Sequence, residues 1–114
     1  MGKRTVTFAV RSETKKTAEI DFPIFVRMLD SGESSITIDR IYRLQSNGRL
    51  TTLVRTKYGR GDSRTAFEIE IGTVSDLDMG QWIEPRGEWE HCERTVFDKL
   101  MAEFRAFVEE LPSS

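Results

Sequence analysis

Cysteine, histidine and proline are scarce in this chain of 114 residues, which holds one cysteine, one histidine and three prolines. Cys92 alone cannot form an intrachain disulfide, and a lone thiol fits a reducing compartment. A structural zinc site needs more thiolate or imidazole ligands than Cys92 and His91 supply. The two are adjacent, and neighbours on a helix point about 100° apart, so they do not face each other as nucleophile and base. Cys92 reads as a core thiol and His91 as a surface residue. No stretch approaches the roughly 18 apolar residues of a membrane span. The basic start Met1-Gly2-Lys3-Arg4 is followed by no apolar run of signal-peptide length. Val6 stands where a myristoylation pattern wants Ser or Thr. The expectation is a cytoplasmic protein with no membrane partner.

Other chemical signatures are also missing. Gly59-Arg60-Gly61 offers a small amide nest, but neither the Walker nor the dinucleotide glycine pattern is present, and the stretch reads as a turn. Glu68 and Glu70 fall on the solvent side of a strand. Asp76 and Asp78 lack the further oxygen ligands of a calcium loop. These readings leave no catalytic set, no metal site and no cofactor, and the chain is expected not to be an enzyme.

Charge is plentiful and unevenly placed. Residues 1–64 carry 13 Lys/Arg and 7 Asp/Glu, whereas residues 65–114 carry 4 and 12. The two halves either present a basic and an acidic side to partners or attract each other within the molecule.

The periodicity is that of strands followed by a helix. Thr5 to Val10 alternates, with Val6, Phe8 and Val10 on one side. Ser12 to Thr17 has the composition of a turn. A strand from Phe22 to Leu29 has Pro23 at its start, where a missing amide donor is tolerable. Asp30-Ser31-Gly32-Glu33 is a turn signal. Ile36 to Gln45 and Leu50 to Tyr58 flank Ser46-Asn47-Gly48-Arg49, and Asn-Gly suits a two-residue hairpin turn. That turn sets Leu44 opposite Thr51, Tyr42 opposite Leu53, Ile41 opposite Val54, and Arg40 opposite Arg55. In Thr65 to Ile71, Phe67, Ile69 and Ile71 point inward. The connection from Gly72 to Gly87 holds a short helical turn near Ser75 to Met79.

Trp89, Cys92, Val96, Phe97, Leu100, Met101, Phe104, Phe107, Val108 and Leu111 form a helical stripe ended by Pro112. The helix is expected to begin between Pro85 and Glu93, with Glu88, Glu90 and Glu93 near its positive end. Burying the stripe is the main expected source of stability, and Phe104→Ala would cost about 3–5 kcal/mol if the ring is fully buried.

The expected fold is therefore α+β, in one domain over 1–114. An antiparallel sheet of about four to five strands, meander-like, is packed by one long C-terminal amphipathic helix. Both faces of the hairpin carry apolar residues, and one helix covers one face. The other face must meet the 72–87 connection, a second copy or a partner. With the Trp/Arg-rich stretch from Trp82 to Trp89, this points to a small non-enzymatic protein-binding module of inhibitor, immunity or adaptor type. Trp82, Arg86, Trp89, Ile41 and Val54 are its expected contact residues. The alternative is nucleic-acid binding by a basic hairpin carrying Arg40, Arg43, Arg55, Lys57, Arg60 and Arg64.

Overall fold

The computed structural model describes residues 2–10, 14–30, 36–59 and 64–110. Among the described residues seven strands form: β1 (Lys3–Val10), β2 (Thr14–Asp21), β3 (Ile24–Asp30), β4 (Ile36–Leu44), β5 (Arg49–Tyr58), β6 (Arg64–Thr73) and β7 (Trp89–His91). A 3-10 turn (Asp76–Met79) leads into α1 (Gly80–Ile83), and α2 (Arg94–Glu109) follows β7. Strands β3 to β6 run as an antiparallel meander. β7 returns to β3, so the five-stranded sheet has the order β6-β5-β4-β3-β7. β1 and β2 form a separate two-stranded hairpin. This is the expected α+β arrangement, an antiparallel sheet packed by a C-terminal helix, with the two-stranded layer added.

The central hairpin sets the register of the sheet. Gly48 N donates to Gln45 O at 2.9 Å, and Gln45 N donates to Arg49 O at 2.9 Å. Arg49 N donates to Asn47 Oδ1 at 3.0 Å. The loop thus has three residues, with Gly48 at φ 87°. Only glycine reaches that conformation without strain, and a Cβ there would lie 2.6 Å from Val74 O. A three-residue loop slips the ladder by one position from the two-residue expectation. Leu44 faces Leu50, Ile41 faces Leu53, Arg40 faces Val54, and Asp39 faces Arg55. The expected Arg40–Arg55 repulsion is replaced by an opposite-charge pair.

Two apolar clusters lie on opposite sides of the sheet. Phe25, Ile41 and Leu53 meet Phe97 and Leu100 of α2, with Phe67, Val96, Met101 and Phe104 at the border. On the other side, Val26 and Leu44 meet Val6 and Phe8 of β1, Phe22, Met79 and Trp82. Val26, Leu44 and Leu53 are 0% exposed, and burial of each contributes about 1.5–3 kcal/mol. β1 and the 76–83 segment approach so closely that a Cβ on Gly80 would sit 2.0 Å from Ala9 O. That leaves room for glycine alone.

The structure corrects several local expectations. β2 begins at Thr14, within the stretch expected as a turn. Only Ala18 and Ile20 of this strand pack on the core, too few apolar residues to show alternation. Trp89 belongs to β7 rather than to the helix, which starts at Arg94 with Glu93 as N-cap. Cys92 follows β7, and its amide donates to Phe25 O. Ile69 and Ile71 lie on the α2 side but are 40% and 64% exposed, because α2 extends across β6 only as far as Phe67. The expected turns Ser31-Gly32-Glu33 and Arg60-Gly61, Arg60 as a contact residue, and Leu111 and Pro112 lie outside the described residues.

Candidate functional site

β1, β2 and the 76–83 segment cover only one end of the sheet face opposite α2. Their cluster takes in Ile24, Val26, Leu44, Leu50 and the near side of Tyr42. Beyond Tyr42, among the described residues, no second layer covers this face. Ladder pairing places its residues in rows across β4, β5 and β6: Tyr42–Thr52–Glu70, Arg40–Val54–Glu68, Ile38–Thr56–Ala66 and Ile36–Tyr58–Arg64. The rows alternate faces with the buried Ile41–Leu53 layer, as the period of a strand requires. All of these but Ala66 and Arg64 line, with Leu50, a shallow concavity of about 620 Å³. Ile36 is 37% exposed and Tyr58 38%.

The open face is neutral along β5 and charged along its flanks. Arg40 stands on β4, Glu68 and Glu70 on β6. None of these three forms an ion pair among the described residues. Arg64 lies over the Tyr58 ring at 5.5 Å. Burial pushes the Tyr42 phenol up, with Arg40 pulling it down and Glu70 adding to the rise, so the three groups interact on one surface.

A second hollow of about 500 Å³ lies beside the covering layer, lined by Val10, Leu77, Gln81, Arg86 and Trp89 among others. The Trp89 ring stacks on Tyr42, centroids 4.8 Å apart and planes 16° apart. This aromatic pair separates the hollow from the open face. His91 sits on the same strand, its Nε2 3.0 Å from Trp82 O.

The expected contact residues separate on this geometry. Val54 lies at the centre of the open face, Trp89 borders its covered end through its stack on Tyr42, and Arg86 lines the separate hollow. Trp82 is 8% exposed and belongs to the covering core. Ile41 is 1% exposed beneath α2, because the one-residue slip turned it to the helix side. The sequence missed Ile36, Ile38 and Tyr58, which alternate with polar neighbours and were legible as one face once the register was known.

The basic residues of the hairpin do not share a surface. Arg40 and Arg64 are on the open side. Arg43, Arg55 and Lys57 are on the α2 side. Arg43 lies over the Phe97 ring at 4.9 Å. Arg55 contacts Glu103 at 2.8 Å and Asp39 at 3.3 Å. The ion pairs Arg4–Asp76, Lys16–Glu84 and Arg55–Glu103 each join a base of the first half to an acid of the second. Part of the charge asymmetry is thus satisfied within the molecule. Among the described residues no helix is long and apolar enough to cross a membrane, and no three His, Cys, Asp or Glu side chains group as metal ligands.

No family model, no curated protein and no solved structure matches this chain.

Proposed function

We propose that the chain is a non-enzymatic protein-binding module that docks its partner on the open half of the sheet, over Val54. The observation that carries this reading is the concavity along β4, β5 and β6, which no second layer of described residues covers. Ile38, Val54 and Tyr58 offer it apolar contact, and Arg40, Glu68 and Glu70, which form no ion pair among the described residues, surround them. An apolar centre inside a polar rim is the anatomy of a protein interface. Trp89, stacked on Tyr42, extends the surface toward the covered end. The lone, half-buried Cys92 fits a reducing compartment, and the cytoplasm is the location assigned with it.

A photoreactive phenylalanine analogue tests the reading. Placed at Thr56, in the middle of the open face, it is expected to capture a protein from an extract of the source cells. Placed at the exposed Lys99 of α2, it is not. Unlabelled chain competes for the Thr56 adduct, and Val54→Arg chain does not. Equal capture at both positions, or none at Thr56, removes the proposal.

A further inference from the structure

Arg43 and Arg94 are held in the same way, by aromatic rings rather than by acids. Arg43 stands across the β3–β4 ladder from Phe25, with its guanidinium 4.9 Å from the centre of the Phe97 ring. Arg94, the first residue of α2, lies over the Phe25 ring at 5.6 Å. The two rings pack on each other with centroids 5.6 Å apart. A ring takes a guanidinium by its face and leaves the N–H donors, which lie in its plane, free to point elsewhere. Arg43 donates from Nη2 to Thr51 Oγ1 at 3.4 Å, and its Nε is sealed from water without a hydrogen-bond partner. Neither arginine forms an ion pair among the described residues. Nearby Arg4 differs: it grips Ser46 O, and Asp76 matches its charge.

Both arginines line one hollow of about 350 Å³. Gln45 and Ser46 of the β4–β5 turn add polar groups to it, and Phe22 and Pro23 add apolar wall. No carboxylate lines it among the described residues. The segments 11–13, 31–35 and 60–63 follow the opposite ends of their strands. Residues 111–114 follow the far end of α2, whose 16 residues span about 24 Å from Arg94. Met1 adjoins Gly2 at the hollow in sequence, and its side chain carries no acid.

We propose that this hollow binds the phosphoryl group of a small organic phosphate. Two guanidiniums match the charge of about −1.5 to −2 that a phosphate monoester carries at neutral pH, and their forked donors fit its oxygens. A carboxylate would match only one of them. An anion beside Arg43 also offsets the cost of holding its charge half-buried with one donor unmet. The volume falls in the range of about 300–1,000 Å³ typical of small-molecule sites, so an organic remainder fits against Phe22 and Pro23. The site stands apart from the docking surface over Val54 and does not depend on it.

Titration of the nitrogen-15-labelled full chain with phenyl phosphate, at constant ionic strength, tests the proposal. Saturable shifts are expected at the amides of Gln45, Ser46 and Arg94 and at the Nε–H signals of Arg43 and Arg94, with a Kd of about 1 mM. Val54 and Thr56 should not move. Arg94 is exposed, so Arg94→Gln leaves the core intact and should weaken binding about tenfold. Arg43→Lys keeps the charge without the fork and should weaken it by a similar factor. The spectrum of each variant reports whether it is folded, and Arg94→Gln decides if Arg43→Lys is not. No saturable shift up to about 50 mM overturns the proposal. So do shifts centred away from the two arginines, an unchanged Kd in Arg94→Gln, or an equal response to sodium chloride. Benzoate binding as tightly as phenyl phosphate overturns the phosphoryl assignment. A phosphoserine peptide binding about tenfold tighter than phenyl phosphate overturns the small-molecule source in favour of a modified protein.

Discussion

Asp39 stands directly across the β4–β5 ladder from Arg55, and the two side chains meet at 3.3 Å beneath α2. Arg27 grips the same carboxylate from β3 through both oxygens, at 3.2 and 3.1 Å. Asp39 is 3% exposed, so its charge is tolerable only because two guanidiniums surround it.

Asp39→Ala should therefore be among the most damaging single changes in the sheet. It leaves Arg27 and Arg55 competing for water and for Glu103 in a narrow space. Because both arginines are partly solvated, the expected cost is about 2–4 kcal/mol, somewhat under that of a fully buried pair. Urea unfolding measures it, and Glu103→Ala, at the exposed end of the same network, should cost about 1 kcal/mol or less.

Phe97→Ala and Phe104→Ala should separate clearly. Phe97 is 2% exposed, packs on Phe25 at 5.6 Å and carries Arg43 on its face. Its truncation should cost about 3–5 kcal/mol. Phe104 is only half-buried, edge-on to Phe67 at 5.7 Å, so the cost expected for full burial falls to about 1–2 kcal/mol. Equal shifts of the unfolding midpoint would mean that α2 sits differently on the sheet.

Gly80→Ala and Gly72→Ala form a matched pair. A methyl on Gly80 meets Ala9 O at 2.0 Å, whereas one on Gly72 meets nothing within 4 Å. Forcing β1 away from the 76–83 segment should cost about 1–3 kcal/mol. The Gly72 change should stay within about 0.5 kcal/mol. Amide exchange in β1 should rise with the first variant and not with the second.

Alkaline pH should weaken the fold through Cys92 and Tyr42. Burial pushes the Cys92 thiol above its ordinary value of 9.0; Arg27 opposes the rise, and Asp39 and Glu90 add to it. Burial likewise lifts the Tyr42 phenol above 10.0. The folded state holds both protons more tightly than the unfolded chain does. Their contribution is complete below the unfolded values and is lost as pH rises through the folded ones. Cys92→Ala and Tyr42→Phe should each flatten the fall in denaturation midpoint above about pH 9.

The outline of the fold was legible because two strong periodicities carry it: the alternation in β1, β4 and β5, and the stripe of α2. What was hidden depended on single residues or distant partners. Asn47 and Gly48 announced a hairpin but not whether its loop held two residues or three, and that one residue decided which face Ile41 and Val54 occupy. β2 was masked because only Ala18 and Ile20 face the core, while its first four residues, Thr14 to Thr17, are polar and exposed. Trp89 matched the helical spacing of Cys92 and Val96, yet its segment was claimed by an open strand edge far back in the sequence. Of the candidate surface, Val54 and Trp89 were visible beforehand, and Arg86 fell to the neighbouring hollow. Ile36, Ile38 and Tyr58 needed the register.

The return of β7 to β3 has a kinetic consequence. The meander from β3 to β6 closes through neighbouring segments, but Val26 must find His91, 65 positions later, before the sheet is complete. That long closure delays the reward of the β3–β7 pairing until most of the chain is in place. The step should limit the rate of folding. Substitutions in β7 should slow refolding as much as they destabilise, while changes at the tip of the β4–β5 hairpin mainly hasten unfolding.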